Sequence, residues 1–216
     1  PINADQSPQV AYYLPTLSTA DFQTIEQYFR QASLAYRLPI DRPFLIRLGQ
    51  RVHLIPPAPP QTANLLEAIR WSLAFRWYAW RHTPNDGQHA DIRLFLLYHD
   101  PKITPSLTHS TALEKGRIGR INVFGSARQH EQNLIVIAHE LLHTVRATDK
   151  YDLNNGQPIN PIGLANPQQS PLYPQRLAEL MGGRIALSPT QSRMPNRLEQ
   201  TVISQLTAQE IGWVKP

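Results

Sequence analysis

A run of five residues, His139-Glu140-Leu141-Leu142-His143, restricts the fold and chemistry of this chain more than any other feature. It lies within residues 127–146, where apolar side chains recur at the spacing of an amphipathic helix. A helix turns once in about 3.6 residues, so positions 139 and 143 project from one face, one turn apart. The segment is therefore predicted to be a helix whose buried stripe consists of Leu134, Ile137, Ala138, Leu141 and Val145.

The residue types in this run are those of a hydrolytic zinc site. Two neutral imidazoles at this spacing can bind one Zn²⁺ at about 2.0–2.1 Å, and zinc lowers the pKa of a bound water to about 7. Glu140 follows the first imidazole and is placed to take the proton of that water and pass it to a leaving amine. Burying two imidazoles and a carboxylate without a metal would be costly. The run predicts Zn²⁺ as cofactor and Glu140 as general base.

A zinc site of this kind needs a third protein ligand, and Asp149 is a candidate six residues after His143. Residues 139–149 resemble the metzincin motif, in which a third ligand follows the second His at this distance. Metzincins usually place His there, whereas the small secreted bacterial peptidases called snapalysins place Asp. Residues 147–151 also resemble the Asp-bearing segment of aspzincins. Both resemblances imply Asp149 as the third ligand.

One position departs from the metzincin pattern. Metzincins turn the chain on a Gly three residues after the second His, and Arg146 stands at that position here. A residue with a side chain disfavours positive φ, so the helix is expected to end differently, near residues 147–148. Met181, which precedes two glycines, resembles the Met-turn of metzincins, although a core methionine explains it equally well.

Glu179 is the alternative third ligand. Residues 175–181 are predicted to form a short helix downstream, and gluzincins take their third ligand from a separate downstream helix. Asp149 is favoured over Glu179 because two resemblances imply it. In the irregular segment 148–174, Tyr151 and Tyr173 are candidate oxyanion stabilisers, although plain packing also explains them.

The order of predicted elements favours the α+β class. The resemblance implies a zincin-like single domain with a mixed sheet packed on the motif helix, so residues 1–18 are interpreted as an arm and 19–216 as the domain. In zincins an edge strand before the motif helix pairs with extended substrate, and residues 121–124 are the candidate here, although an interior strand fits equally well. Helices are predicted at 19–36, 63–82, 127–146, 175–181 and 198–211, and strands at 44–55, 91–99 and 119–125.

The helix at 63–82 contains three of the four tryptophans. Its apolar side chains fall on or near one face, which is predicted to pack in the core. The residues of this predicted core face are Leu65, Ile69, Leu73, Trp77 and Trp80.

Composition excludes several classes of site and partner. The chain has no cysteine, which excludes disulfides, thiolate-bound zinc and a thiol nucleophile. Its net charge of +5 is interpreted as a generally basic surface, with attraction to an anionic surface as the alternative. No nucleic-acid-binding motif is found, so nucleic acid is not an expected partner. Because the chain begins at Pro1, a signal peptide or membrane anchor near the N-terminus stays open. An exported location (periplasm, cell surface or secreted) is the expectation.

These features lead to one functional prediction with two alternatives. The chain is expected to be a zinc-dependent metallopeptidase that hydrolyses peptide bonds in an extended peptide or protein. A zinc amidase acting on cell-wall peptide would have the same metal and base. A catalytically silent zincin-like binding domain is the other alternative, and the intact Glu140 argues against it.

Overall fold

The computed structural model describes residues 1–60, 64–83 and 89–215. Contacts divide the chain into two units, whose boundaries differ from the predicted arm at 1–18 and domain at 19–216. Unit 1 comprises Pro1–Leu17, Leu48–His130 and His143–Val145, and unit 2 comprises Ser18–Arg47, Glu131–Leu142 and Arg146–Pro216. Within the described residues, no helix is both long and apolar enough to cross a membrane.

Helices and strands occur mainly in separate runs along the chain, which confirms the predicted α+β class. The α-helices are α1 (Pro8–Tyr13), α2 (Gln23–Ala35), α3 (Leu65–Arg81), α4 (His130–His143) and α5 (Gln205–Glu210). The strands are β1 (Ile2–Asn3), β2 (Arg93–His99), β3 (Thr111–Leu113), β4 (Ile118–Phe124), β5 (Ala178–Glu179), β6 (Ile185–Ala186), β7 (Ser192–Arg193) and β8 (Thr201–Val202).

Unit 1 is built on a four-stranded mixed sheet with the order β1-β2-β4-β3. β2 pairs in parallel with both β1 and β4, and β3 returns antiparallel along β4. β2 and β4 match the strands predicted at 91–99 and 119–125. The segment predicted as an arm contributes β1, in which Ile2 is fully buried, and also α1.

Helix α3 packs on this sheet with a face other than the predicted one. Its buried side chains are Phe75, Tyr78 and Ala79, which pack with Ile2, Phe95, Leu97 and Ile118. The face that the sequence predicted to lie in the core is exposed: Leu65, Ile69, Leu73, Trp77 and Trp80. The helix has large apolar side chains on both sides, so its periodicity alone did not identify the buried one.

The predicted strand at 44–55 is wrong. These residues run without regular structure, and Leu45, Leu54 and Ile55 are exposed. One backbone hydrogen bond links this segment to the N-terminus: the Val52 N–H donates to the Pro1 carbonyl at 3.1 Å. The alternation of apolar residues indicated an extended chain correctly, but in the described part of the chain no neighbouring strand pairs with it.

Unit 2 contains α2, most of α4 and α5, with two short strand pairs, β5 with β8 and β6 with β7. α2 buries Ile25 and Phe29, and the Tyr36 hydroxyl donates to the Ile203 carbonyl at 2.8 Å. The predicted helix at 198–211 is reduced to a 3₁₀ turn, β8 and α5, whose N-cap is Ser204.

The predicted short helix at 175–181 is also wrong. Its residues instead form β5 and then a 3₁₀ turn, Leu180–Gly182. Two consecutive glycines follow Met181, and Gly183 has φ +71°, a left-handed conformation that ends a helix rather than extends it. Pairing with β8 satisfies the backbone of β5 instead.

Candidate metal centre

Helix α4 confirms the predicted position of the motif. It follows a 3₁₀ turn, Ala127–Gln129, whose N-cap Ser126 accepts from the Arg128 N–H. Nine of its residues are buried, including Leu134, Ile137 and Leu141 of the predicted stripe. His139 and Glu140 are only 9% and 6% exposed. Helical spacing and burial together therefore place two ionisable groups in the interior, where each needs a compensating partner.

The chain leaves α4 through a left-handed turn at Arg146, contrary to the expectation from the sequence. Arg146 has φ +85°, and the Ala147 N–H donates to the Leu142 carbonyl at 3.1 Å. This is the hydrogen bond of a Schellman cap, in which the residue at C′ is left-handed. A non-glycine residue in this region costs roughly 1–2 kcal/mol, and the cap together with the buried Ala147 holds it there. The turn thus falls at the third residue after His143.

After this turn the chain brings Asp149 to the two imidazoles. His139, His143 and Asp149 form a group that could hold a metal ion, with one ligand atom from each within 4.8 Å of the others. His139 is buried, and the other two are half-exposed. Ligand atoms at about 2.0–2.2 Å from a tetrahedral zinc lie roughly 3.4 Å apart, so the group fits a small divalent cation after a slight contraction.

The orientation of the His139 ring supports the fit. Its Nδ1 donates to the Leu180 carbonyl at 3.0 Å, which leaves Nε2 facing an oxygen of Asp149, also at 3.0 Å. Metal-binding histidines generally donate their other N–H to a carbonyl or carboxylate in this way. The Nε2 lone pair and an ionised carboxylate are both acceptors, so a cation or a proton must lie between them.

The pKa of His139 reflects the same geometry. Burial is the largest influence and lowers the pKa, because it disfavours the charged ring. The hydrogen bond to Asp149, the negative charges of Glu140 and Asp149, and the Leu180 carbonyl together outweigh burial. The pKa of His139 is therefore raised above its usual value, as expected of a ring surrounded by groups that attract positive charge.

Two residues that sequence reasoning missed fix the segment around Asp149. Lys150 is fully buried, and its Nζ donates to Glu210 at 2.7 Å and to the Thr148 carbonyl at 3.1 Å. Glu210, at the end of α5, also accepts from the backbone N–H and the hydroxyl of Thr148. The residues on both sides of Asp149 are thus held by one carboxylate. Lys150 and Glu210 are 60 residues apart, and no local pattern relates them.

The alternative ligand, Glu179, is not part of the group. It is fully buried, and its carboxylate accepts from the Gly182 N–H at 2.8 Å, the Ser204 N–H at 3.2 Å and the Thr207 hydroxyl at 2.6 Å. These bonds hold the turn whose Leu180 carbonyl contacts His139. The group that could hold a metal ion therefore contains Asp149 and not Glu179, and the carboxylate of Glu179 instead holds the Leu180 turn.

Met181 belongs to the same 3₁₀ turn as Leu180, whose carbonyl accepts the hydrogen bond from the His139 ring. Met181 is fully buried, and its carbonyl accepts from the Lys150 N–H at 2.9 Å. Gly163 and Gly182 make this packing possible, because a Cβ on Gly163 would lie 2.1 Å from the Lys150 carbonyl oxygen, and one on Gly182 would lie 2.4 Å from the Gly163 oxygen. Three backbone segments meet here at distances that only glycine permits.

Of the two candidate tyrosines, the structure brings Tyr151 to the group. Its ring centroid is 6.1 Å from that of His139. Burial, followed by the charges of Asp149 and Glu140, raises the pKa of Tyr151 to about 12, so its hydroxyl keeps its proton. Tyr173 is half-buried, and among the described residues no hydrogen bond or ring contact joins it to the three clustered side chains.

The candidate substrate strand, residues 121–124, lies in the part of β4 beyond residues 118–120, which are the residues that pair with β3. β4 lies between β2 and β3, and beyond the end of β3 the Asn122 N–H donates to the Ser110 hydroxyl at 3.0 Å. The turn before β4 contains Gly116 at φ +116°, which lets β3 fold back along it. Within the described residues, 121–124 therefore pair with a strand on one side only, that of β2, and their pairing with a substrate stays a prediction.

Comparison of the chain with models of protein families, with curated proteins and with solved structures gives no match. Membership of a family is therefore not shown. Inferences about function rest on the group of His139, His143 and Asp149 and on the residues that orient it.

Proposed function

We propose that this protein is a zinc-dependent metallopeptidase with His139, His143 and Asp149 as metal ligands and Glu140 as general base. The observation that carries the proposal is the convergence of these three donors beside a buried glutamate. Two imidazoles and one carboxylate suit Zn²⁺ and leave a coordination position for reaction, as in catalytic rather than structural zinc sites. The substrate is an extended peptide or protein, and an exported location stays a prediction from the sequence.

The chain's own residues supply the proton transfers. Zn²⁺, when bound, supplies a Lewis acid that polarises a peptide carbonyl and makes water acidic near neutral pH. The Glu140 carboxylate accepts the proton of the attacking water and donates it to the leaving amine. The Tyr151 hydroxyl, like that of any tyrosine, is protonated near neutral pH and can donate to the oxygen that becomes negative.

The Leu180 carbonyl and the Lys150–Glu210 pair position the ligands. The carbonyl keeps the proton of His139 on Nδ1, so Nε2 is available to a metal. Glu210 holds Thr148 and Lys150, and thereby the backbone from which Asp149 projects. The two donors held in this way, His139 and Asp149, lose little conformational freedom when a cation binds.

Metal analysis of the purified protein tests the ligand set. We expect about one zinc per chain, released by chelator and restored with zinc. His139→Ala should abolish retention, whereas His109→Ala, which changes an exposed histidine outside the group, should keep it. Full zinc retention by His139→Ala would refute the site.

A substrate panel tests the reaction. The zinc-loaded protein should cleave an unstructured protein, and chelation should stop the cleavage. Activity on cell-wall peptide with none on unstructured proteins would favour the amidase alternative. Zinc binding without turnover on either substrate would favour the silent binding domain.

A further inference from the structure

The outer face of α3 carries six large apolar side chains that the fold leaves in solvent. They are 47% to 74% exposed. Each residue advances a helix by about 100°, so the six fall within an arc of about 120°. This surface, here called the α3 apolar face, consists of Leu65, Leu66, Ile69, Leu73, Trp77 and Trp80.

The position of this face is fixed by the opposite side of the helix. Phe75, Tyr78 and Ala79 are buried against the sheet of unit 1, and the Tyr78 hydroxyl donates to the Leu54 carbonyl. The Trp71 indole N–H donates to the Pro57 carbonyl at 3.0 Å. Rotating α3 to bury the outer residues would remove this core, so the apolar face cannot turn inward.

The exposed apolar area is large for a free surface. Six such side chains present several hundred Å², roughly the size of patch that marks a site of protein or membrane contact. Two of the six are tryptophans, which favour the boundary between water and the acyl region of a bilayer. An isolated exposed leucine needs no explanation, but a continuous stripe with two indoles does.

Positive side chains border the face on one side and lie within its arc near the other. Arg70 and Arg81 are exposed along one border. Arg76 is exposed within the arc, at an angle between those of Leu65 and Ile69. It lies against Gly116, whose sequence neighbours Lys115 and Arg117 are also exposed. Glu67 is the one acidic residue in the sequence of α3, and it lies away from the stripe. Apolar side chains flanked by arginines are typical of helices that lie in a lipid interface.

We propose that the α3 apolar face docks on an anionic phospholipid surface, with the helix lying in the interface and not crossing it. The charge decides between this occupant and a second copy of the chain. Two copies would bring their arginine borders together, and a chain of net charge +5 repels itself. Anionic headgroups attract the same borders, by about 1 kcal/mol for each basic residue near the surface.

Co-sedimentation with vesicles tests the docking without involving the metal site or turnover. The protein should sediment with vesicles that contain phosphatidylglycerol and much less with pure phosphatidylcholine. Trp77→Ser combined with Trp80→Ser should weaken binding at least tenfold. The control Leu153→Ser removes a side chain of equal exposure (70%) from another part of the molecule and should leave binding unchanged.

A second pair of substitutions tests whether the arginines beside the α3 apolar face contribute to binding. Arg70→Gln combined with Arg81→Gln should weaken binding to the anionic vesicles about thirty-fold, and added salt should weaken wild-type binding. All four substituted side chains are exposed, so circular dichroism should show unchanged folding.

Three results would overturn the proposal. The first is no sedimentation with anionic vesicles, and the second is equal binding to neutral ones. The third is a dimer in analytical ultracentrifugation that the tryptophan pair abolishes, which would assign the face to a second copy.

Discussion

Helices α3 and α4 depart from the usual distribution of side chains in opposite directions. α4 buries His139 and Glu140, whereas α3 exposes a stripe of leucines and tryptophans. A buried charged group and a large exposed apolar patch are the two observations that carry functional information, because each is unfavourable without a partner. In α4 the structure supplies the partners, namely Asp149 and the Leu180 carbonyl for His139.

The two helices differ in how much the candidate metal site on α4 and the apolar face of α3 depend on residues elsewhere in the chain. The site on α4 needs distant residues: Glu210 orders the backbone around Asp149, and Glu179 holds the Leu180 turn. The face of α3 needs only that the helix be anchored from behind by Phe75 and its neighbours. Substitutions should therefore affect chemistry, stability and surface binding separately.

The largest effect is expected from Glu140→Gln. Removal of the base should lower turnover by about 10²–10⁴-fold, the usual contribution of general acid–base catalysis. Zinc content should be unchanged, because Glu140 is not a ligand in the proposed site. The Trp77→Ser, Trp80→Ser variant should keep wild-type turnover on a soluble peptide. Equal losses in both variants would show that the two regions are not independent.

The two faces of α3 should differ sharply in stability. Phe75→Ala removes a fully buried ring that packs with Trp71, Tyr78 and Phe95, and should cost about 3–5 kcal/mol. Trp77→Ala, two residues away but exposed, should change stability by no more than about 0.5 kcal/mol. Urea unfolding followed by circular dichroism measures both. A comparable loss in Trp77→Ala would mean that the face is covered in solution.

Breaking the buried ion pair should cost slightly less than the loss of Phe75. Glu210→Ala leaves the fully buried Lys150 without its carboxylate, which should lower the free energy of unfolding by about 3 kcal/mol. Glu199→Ala is the control, because that carboxylate is exposed and 3.8 Å from an exposed Arg197, and its loss should cost less than about 1 kcal/mol. Zinc affinity should fall in Glu210→Ala alone.

The features that were predicted correctly from the sequence are those that depend on the spacing of nearby residues. The motif helix, the proximity of His139 and His143, and two strands of the sheet follow from periodicities that span a few residues. The choice of Asp149 came from a resemblance in spacing, and the structure brings that residue to the two imidazoles.

Long-range contacts account for what the sequence did not reveal. Lys150 looked like a loop residue, because its partner Glu210 lies far along the chain. Arg146 was expected to avoid a positive φ, but the cap bond to Leu142 selects that conformation. On α3 both faces are apolar, so only the position of the sheet decides which one is buried.

The smallest effect, and the most specific for the metal site, is a dependence of zinc affinity on pH. Because the pKa of His139 is raised, the metal-free ring takes up a proton as pH falls through that pKa, and this proton must leave before Nε2 can bind a cation. Below that pKa, zinc affinity should fall about tenfold per pH unit for each proton released.

The stability of the metal-free protein should change with pH in the opposite direction. The stabilisation from the protonated His139 ring is fully present below the unfolded pKa of about 6.5 and is lost as pH rises through the raised folded pKa. Zinc titration by calorimetry and thermal unfolding, each at several pH values, would measure the two trends. Because α3 has no part in this equilibrium, the Trp77→Ser, Trp80→Ser variant should show the same pH dependence, and a changed slope would couple the two regions.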